Sequence, residues 1–150
     1  MNIFGKFFQR FVSLPTQKTF KYRKEVNVLG KTLYKPIATI YINHKDLTWH
    51  PYSMYIDSGA DITTINKTFG NLIGLRLKPK EEKFLINGIG GKEEFVYRDI
   101  DIKIVRKVFN IKVAWIQNDN IPLLLGRENV FDRFEIVFKQ NNREISFIEL

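Results

Sequence analysis

The chain has 150 residues, a formal net charge of +8, a hydrophobic fraction of 44% and an aromatic fraction of 14%. Such a length is usual for one domain, with roughly two-thirds of the unfolded surface buried in a single core, and the apolar content excludes a disordered chain. With no cysteine there are no disulfides, thiolate metal sites or cysteine nucleophiles, and with only His44 and His50 as histidines no metal or cofactor is expected.

The first segment, "MNIFGKFFQRFVSLP", places Ile3, Phe4, Phe7, Phe8, Phe11 and Val12 at helical spacing. It predicts a short amphipathic helix ending before Pro15, docked on its own subunit or dimer. A peripheral membrane contact through residues 1–12, or a partner-binding role, is the alternative. No run of eighteen apolar residues and no secretory pattern is present, which reads as cytoplasmic.

Residues 1–19 are therefore expected to be helix and connector, and residues 20–150 a single β-rich domain. The 24 Lys and Arg are spread along the chain, and the one dense run, Lys18 to Lys24, fits a solvated strand, so no nucleic acid is expected. Strands are expected over Phe20–Val28, Thr32–Ile42, Trp49–Ile56, Ile62–Ile65, Lys83–Ile86, Lys92–Tyr97, Ile100–Val105, Phe109–Trp115, Ile121–Leu125, Glu135–Lys139 and Arg143–Ile148. Asn66–Leu75 reads as a poorly regular helical turn or loop. Arg127–Phe134 reads as a short helix, with Val130, Phe131 and Phe134 on one face.

Three segments carry chemistry. In "YIDSGADITTI" an apolar strand delivers Asp57 into a tight Ser58-Gly59-Ala60 turn; a pattern of this kind arises by chance in about one per cent of chains this long. In "INGIGGKEEF" Gly88, Gly90 and Gly91 sit between two strands, as in a mobile hairpin tip or in an ordinary glycine-rich turn. In "IPLLLGRENVF" a continuous apolar strand runs into Gly126-Arg127.

Taken in this order, the three segments resemble the retropepsin-like aspartic proteases, the single-domain, retroviral-type half of the pepsin architecture. "IDSGADITTI" is similar to the family's catalytic loop, "INGIGG" to its flap tip and "LLLGRENV" to its Leu-Gly-Arg segment, over about Ile37 to Phe147. The resemblance implies an all-β fold: a closed β-barrel with one short C-terminal helix and, here, an added N-terminal amphipathic helix. It also implies an aspartic-type endopeptidase whose Asp57, Ser58 and Gly59 are catalytic. Gly59, Ala60, Asp61, Ile62, Ile89, Gly90 and Gly91 would contact an extended peptide or protein substrate. Gly126 and Arg127 would support the site, Arg127 by pairing with Asp61.

Hydrolysis by a carboxylate pair needs one group to take a proton while the other donates one. Asp61, Asp99, Asp101, Asp119 and Asp132 all lack a following hydroxyl–glycine pair, so a second catalytic aspartate would have to be Asp57 of another subunit in a homodimer. "REISFIEL", Arg143–Leu150, could contribute a strand to that dimer's sheet, and Gly74–Lys83 reads as an insertion before the flap. A catalytically inactive β-rich module that binds peptide, nucleic acid or a membrane surface is the alternative function.

Overall fold

The computed structural model describes residues 15–88 and 91–150. The amphipathic helix expected over residues 1–12 and the residues Ile89 and Gly90 lie outside the described residues.

The chain folds mostly as β-structure, 55% of it, around a closed six-stranded barrel. The barrel strands are β4 (Ile37–Asn43), β5 (Trp49–Ile56), β6 (Thr63–Ile65), β8 (Gly91–Ile104), β9 (Lys107–Ile116) and β10 (Leu124–Leu125). Their order is β4-β5-β10-β6-β9-β8, and pairing of Tyr41 with Lys103 and Ile42 with Ile102 returns β8 to β4. Closure leaves no free barrel edge. Alternation places Ile40 and Ile42 from β4 and Ile102 and Ile104 from β8 in the interior, where Met54, Ile65, Ile111 and Leu125 complete the packing.

Outside the barrel, β7 (Phe84–Gly88) forms a hairpin with the first half of β8. A separate sheet joins β1 (Gln17–Lys21), β12 (Glu144–Glu149) and β11 (Phe134–Lys139), and a two-stranded hairpin joins β2 (Arg23–Val26) to β3 (Thr32–Lys35). Tyr22, buried, is the hinge between β1 and β2, so the stretch expected as one strand from Phe20 divides between two sheets. Pro36, which lacks an N–H, divides the strand expected over Thr32–Ile42. The strands expected over Lys92–Tyr97 and Ile100–Val105 form the single strand β8, because Arg98 and Asp99 keep their pairing with Val113 and Lys112.

The α-helix among the described residues is α1 (Lys67–Leu72), capped by the Asn66 side chain on the Phe69 N–H. Its Gly70 is a matter of space: a Cβ there would come 2.1 Å from the Trp115 indole nitrogen. The helix expected over Arg127–Phe134 shortens to a turn and one 3₁₀ turn, Phe131–Arg133, because Asn129 adopts a φ of 61° that ends helical propagation. Val130 and Phe134 are nonetheless buried. The C-terminal strand β12 is flanked on both sides by strands of its own chain, β1 and β11. It therefore has no free edge to offer a dimer sheet; the edges of that sheet belong to β1 and β11.

Candidate active site

The segment around Asp57 is built on a two-residue strand. β10 runs parallel to β5, with Leu124 beside Tyr55 and Leu125 beside Ile56, and antiparallel to β6, with Leu124 opposite Thr64. The Tyr55 N–H donates to the Leu123 carbonyl (3.0 Å) and the Asp57 N–H to the Leu125 carbonyl (3.1 Å). Leu125 is fully buried. The aspartate thus emerges from a strand whose backbone is satisfied up to the residue itself.

Beyond Asp57 the chain turns at once. The Gly59 N–H donates to Asp57 Oδ1 (2.9 Å), and the Ala60 N–H to the Asp57 carbonyl (3.3 Å). This Asx-type turn fixes the carboxylate relative to its own backbone. Asp57 is half-buried, and Ser58 and Gly59 are exposed.

A second clamp holds the far side of the turn. The Arg127 N–H donates to the Ala60 carbonyl (2.9 Å) and the Glu128 N–H to the Asp61 carbonyl (2.8 Å), while the Arg127 guanidinium pairs with the Asp61 carboxylate. That ion pair is exposed, so the two backbone bonds give most of the fixation. Gly126 makes the approach sterically possible: a Cβ there would lie 2.5 Å from the Ile62 carbonyl carbon and 2.6 Å from its oxygen. The Gly126 N–H is taken by Thr63 Oγ1 (3.1 Å), a buried hydroxyl.

The expected residues Asp57, Ser58, Gly59, Ala60, Asp61, Ile62, Gly126 and Arg127 are therefore brought together. Gly91 belongs to another element, opposite Gly88 at the end of the β7–β8 hairpin, with a φ of 117°. It joins the site only if that hairpin covers the turn.

Of the apolar wall the sequence reading named Ile62 and missed Ile86 and Ile121. Ile62, Ile86 and Ile121 pack against Phe95, Ala114 and Ile116, bringing residues of the turn, the β7–β8 hairpin and the approach to β10 into one cluster. Ile86 could have been found from its place in the alternation of β7; Ile121 could not, because Pro122 keeps it out of the strand. Also missed is a polar clamp behind the turn. The Tyr55 hydroxyl donates to Glu25, and Arg23 donates to both (2.9 Å to Glu25, 3.3 Å to Tyr55). The Tyr55 hydroxyl, then Arg23, holds the Glu25 carboxyl below the usual carboxylate range.

His44 and His50 lie against each other at a tilt in a different region; His44 bonds to the Tyr52 hydroxyl (2.6 Å) and His50 to Thr48 (2.8 Å). Among the described residues no group of three or more His, Asp or Glu is arranged to hold a metal, and no helix is long and apolar enough to cross a membrane.

The chain superimposes on a retropepsin-like aspartic protease from Rickettsia conorii with a TM-score of 0.60, 16% identity and coverage of 87% of this chain and 97% of that one. It also matches the EIAV protease complexed with the inhibitor HBY-793, at a TM-score of 0.49 and 24% identity, covering 72% of this chain and 93% of that one. No protein-family model and no curated protein sequence matches. The fold of this chain is retropepsin-like.

Proposed function

We propose that the protein is an aspartic endopeptidase that works as a homodimer, each copy supplying one Asp57. The observation that carries this reading is the doubly clamped Asp57 turn, held by Leu125 on one side and by Arg127 and Glu128 on the other, within a retropepsin-like barrel.

Two such turns meeting at a two-fold axis bring two carboxylates together, and a close pair of carboxylates cannot both ionise easily. They share one proton and titrate with apparent values that belong to the pair, as the two aspartates of aspartic proteases generally do. One Asp57 takes a proton from water as the oxygen attacks the peptide carbonyl, and the other donates its proton to the carbonyl oxygen. The geminal diol then collapses: the carboxyl that took the water proton donates it to the leaving nitrogen as the C–N bond breaks, and the other carboxylate takes a proton from a diol hydroxyl, which restores the shared proton. Ser58 links the two turns, and the Gly59 carbonyl and Asp61 hold the substrate backbone.

The β7–β8 hairpin, with Ile89, Gly90 and Gly91 at its end, closes over an extended peptide gripped through its main chain. The wall of Ile62, Ile86 and Ile121 favours aliphatic or aromatic side chains beside the cut. Residues 20–150 form the protease domain in this reading, with β1 added to it from Gln17.

The test is cleavage of a peptide library between about pH 4 and 7, a range chosen to bracket a carboxylate pair, comparing wild type with Asp57→Asn. Asparagine keeps an oxygen to accept the Gly59 N–H, so the fold should persist while cleavage drops by about 10²–10⁴-fold or more. Equal cleavage by both proteins would sink the proposal, and tight peptide binding without cleavage by either would favour the inactive binding module.

A further inference from the structure

The β2–β3 hairpin stands outside the barrel, and its two ends differ. Its base is fixed: Pro36, just after β3, accepts from the Ile56 N–H (2.9 Å), Arg23 and Glu25 grip Tyr55, and the Arg143 guanidinium lies 3.6 Å from the Tyr34 ring centroid. Its tip, among the described residues, hydrogen-bonds only within itself. Asn27 Oδ1 accepts from the Leu29 N–H (3.0 Å) and the Lys31 N–H (2.9 Å), and Gly30 takes the left-handed φ of 73°.

That self-bonded tip carries Val28 at 102% exposure and Leu29 at 87%, with Val26 at 64% beside them. One exposed aliphatic residue is ordinary. Three on a preorganised projection present apolar surface with its ordering cost already met, as a docking element would. Exposed Lys24 and Lys31 flank the tip, and neither pairs with a carboxylate among the described residues.

A complementary surface lies on the other side of the Asp57 turn. A notch of about 430 Å³ is lined by Asp61, Arg127, Glu128, Phe131 and Asp132. Arg127 offsets Asp61, and among the described residues Glu128 and Asp132 have no ion-pair partner, which leaves two negative charges around a half-buried phenyl ring. Basic residues around an aliphatic tip face acidic residues around an aromatic floor.

The hairpin is tied to the strand that enters the Asp57 turn, and the notch to the residues that leave it. About a two-fold axis, any contact between one copy's hairpin and the other copy's notch is self-complementary and occurs twice. β12 cannot supply that contact, since both its edges are taken.

We infer that the β2–β3 hairpin is a dimerisation arm: Val28 and Leu29 of one copy seat on Phe131 of a second copy, with Lys24 and Lys31 against Glu128 and Asp132. This rests on the reading of a dimeric aspartic protease, and it names the contact that brings the two Asp57 turns together.

The experiment is sedimentation of the full chain with three variants: Val28→Ser/Leu29→Ser in the tip, Lys24→Glu/Lys31→Glu in the arm and Glu128→Lys/Asp132→Lys in the notch. Each should raise the dimer dissociation constant at least about tenfold, a change of about 1.4 kcal/mol, without lowering the melting temperature of the dilute monomer. Mixing the arm and notch variants in equal amounts should restore a heterodimer, because one contact then pairs the two reversed sets of charges and the other is the wild-type pair. Variants that dimerise like wild type, or a mixture that fails to recover, would overturn the inference while a cleaving wild type leaves the protease reading intact. A wild-type dimer that cleaves nothing, yet shows recovery on mixing, supports the arm and removes the activity. Loss by the tip variant of binding to phosphatidylserine vesicles, with dimerisation unchanged, would assign the tip to lipid and overturn the arm. A wild type that is monomeric at every concentration overturns both.

Discussion

The Asp57 turn and the β7–β8 hairpin both carry glycines and both belong to the proposed site, yet they are built on opposite terms. The turn is bonded from two sides to β10 and the segment after it, and its supporting Gly126 has no room for another atom. The hairpin's outer strand β7 pairs with β8 alone, Leu85 is exposed, and a Cβ on Gly91 would meet nothing within 4 Å. One glycine is required by close packing and the other by backbone conformation. A fixed floor holds a carboxylate in place; a roof with few contacts can be displaced to admit a chain.

Substituting the two glycines should separate these roles. Gly126→Ala drives a methyl into the Ile62 backbone, which has no rotamer by which to yield, and the cost should be about 3 kcal/mol, at the upper end of ordinary overpacking. Urea titration should show the midpoint falling with m unchanged, and any peptide cleavage should fall with it. Gly91→Ala has open space around it but a φ of 117°, so strain is confined to the end of a hairpin. Local opening of the hairpin end can relieve that strain, so the global cost should be smaller than that of Gly126→Ala, and the change should appear in KM or kcat instead. Equal destabilisation by both substitutions would remove the distinction between floor and roof.

The floor was legible in the sequence for the same reason that it is rigid. Where backbones approach as closely as Gly126 and Ile62 do, few residue types fit, and an Asp followed by Ser-Gly records a turn in which the carboxylate accepts the Gly59 N–H. Long-range pairing was not legible. Gln17 lies opposite Ile148, and nothing local to either end announces the other. The two helical segments mislead for local reasons: Gly70 weakens the pattern of a helix that forms because Trp115 packs on it, and Val130, Phe131 and Phe134 have helical spacing in a segment that Asn129 interrupts. The apolar wall of Ile62, Ile86 and Ile121 joins three separate stretches, so only the closed barrel reveals it.

The root of the hairpin gives a pH-dependent version of the comparison. Arg98, on β8, forms an ion pair with Glu81 and also donates to the Arg76 carbonyl (2.8 Å), strapping the segment before β7 to the barrel. Hydrogen bonds from Arg98, then from the Lys78 N–H, pull the Glu81 pKa from 4.5 down to about 2. A folded-state value below the unfolded one means that the stabilisation is complete above pH 4.5 and is lost as pH falls toward 2. The melting temperatures of wild type and Glu81→Gln should therefore differ at neutral pH and converge across that interval. A gap that persists at the acid end would mean that the strap is held by packing, and an Asp57 turn that melts with it would join floor and roof into one unit.

The smallest effect is expected behind the floor, at Tyr55→Phe. The ring stays in place under Arg23 while the hydroxyl is lost with its two hydrogen bonds, one donated to Glu25 and a long one accepted from Arg23, together about 1 kcal/mol at this partly exposed position. Arg23 still holds Glu25 directly, so the hairpin stays folded. What loosens is the tie between the β2–β3 hairpin and the strand that carries Asp57. If that tie aligns the arm with the turn, Tyr55→Phe should weaken dimerisation by a few-fold more than its loss of monomer stability explains, and cleavage at saturating protein concentration should be untouched. If the two losses are equal, the hydroxyl serves the monomer alone, and alignment must come from Pro36 and the Arg143–Tyr34 contact at the hairpin's other strand.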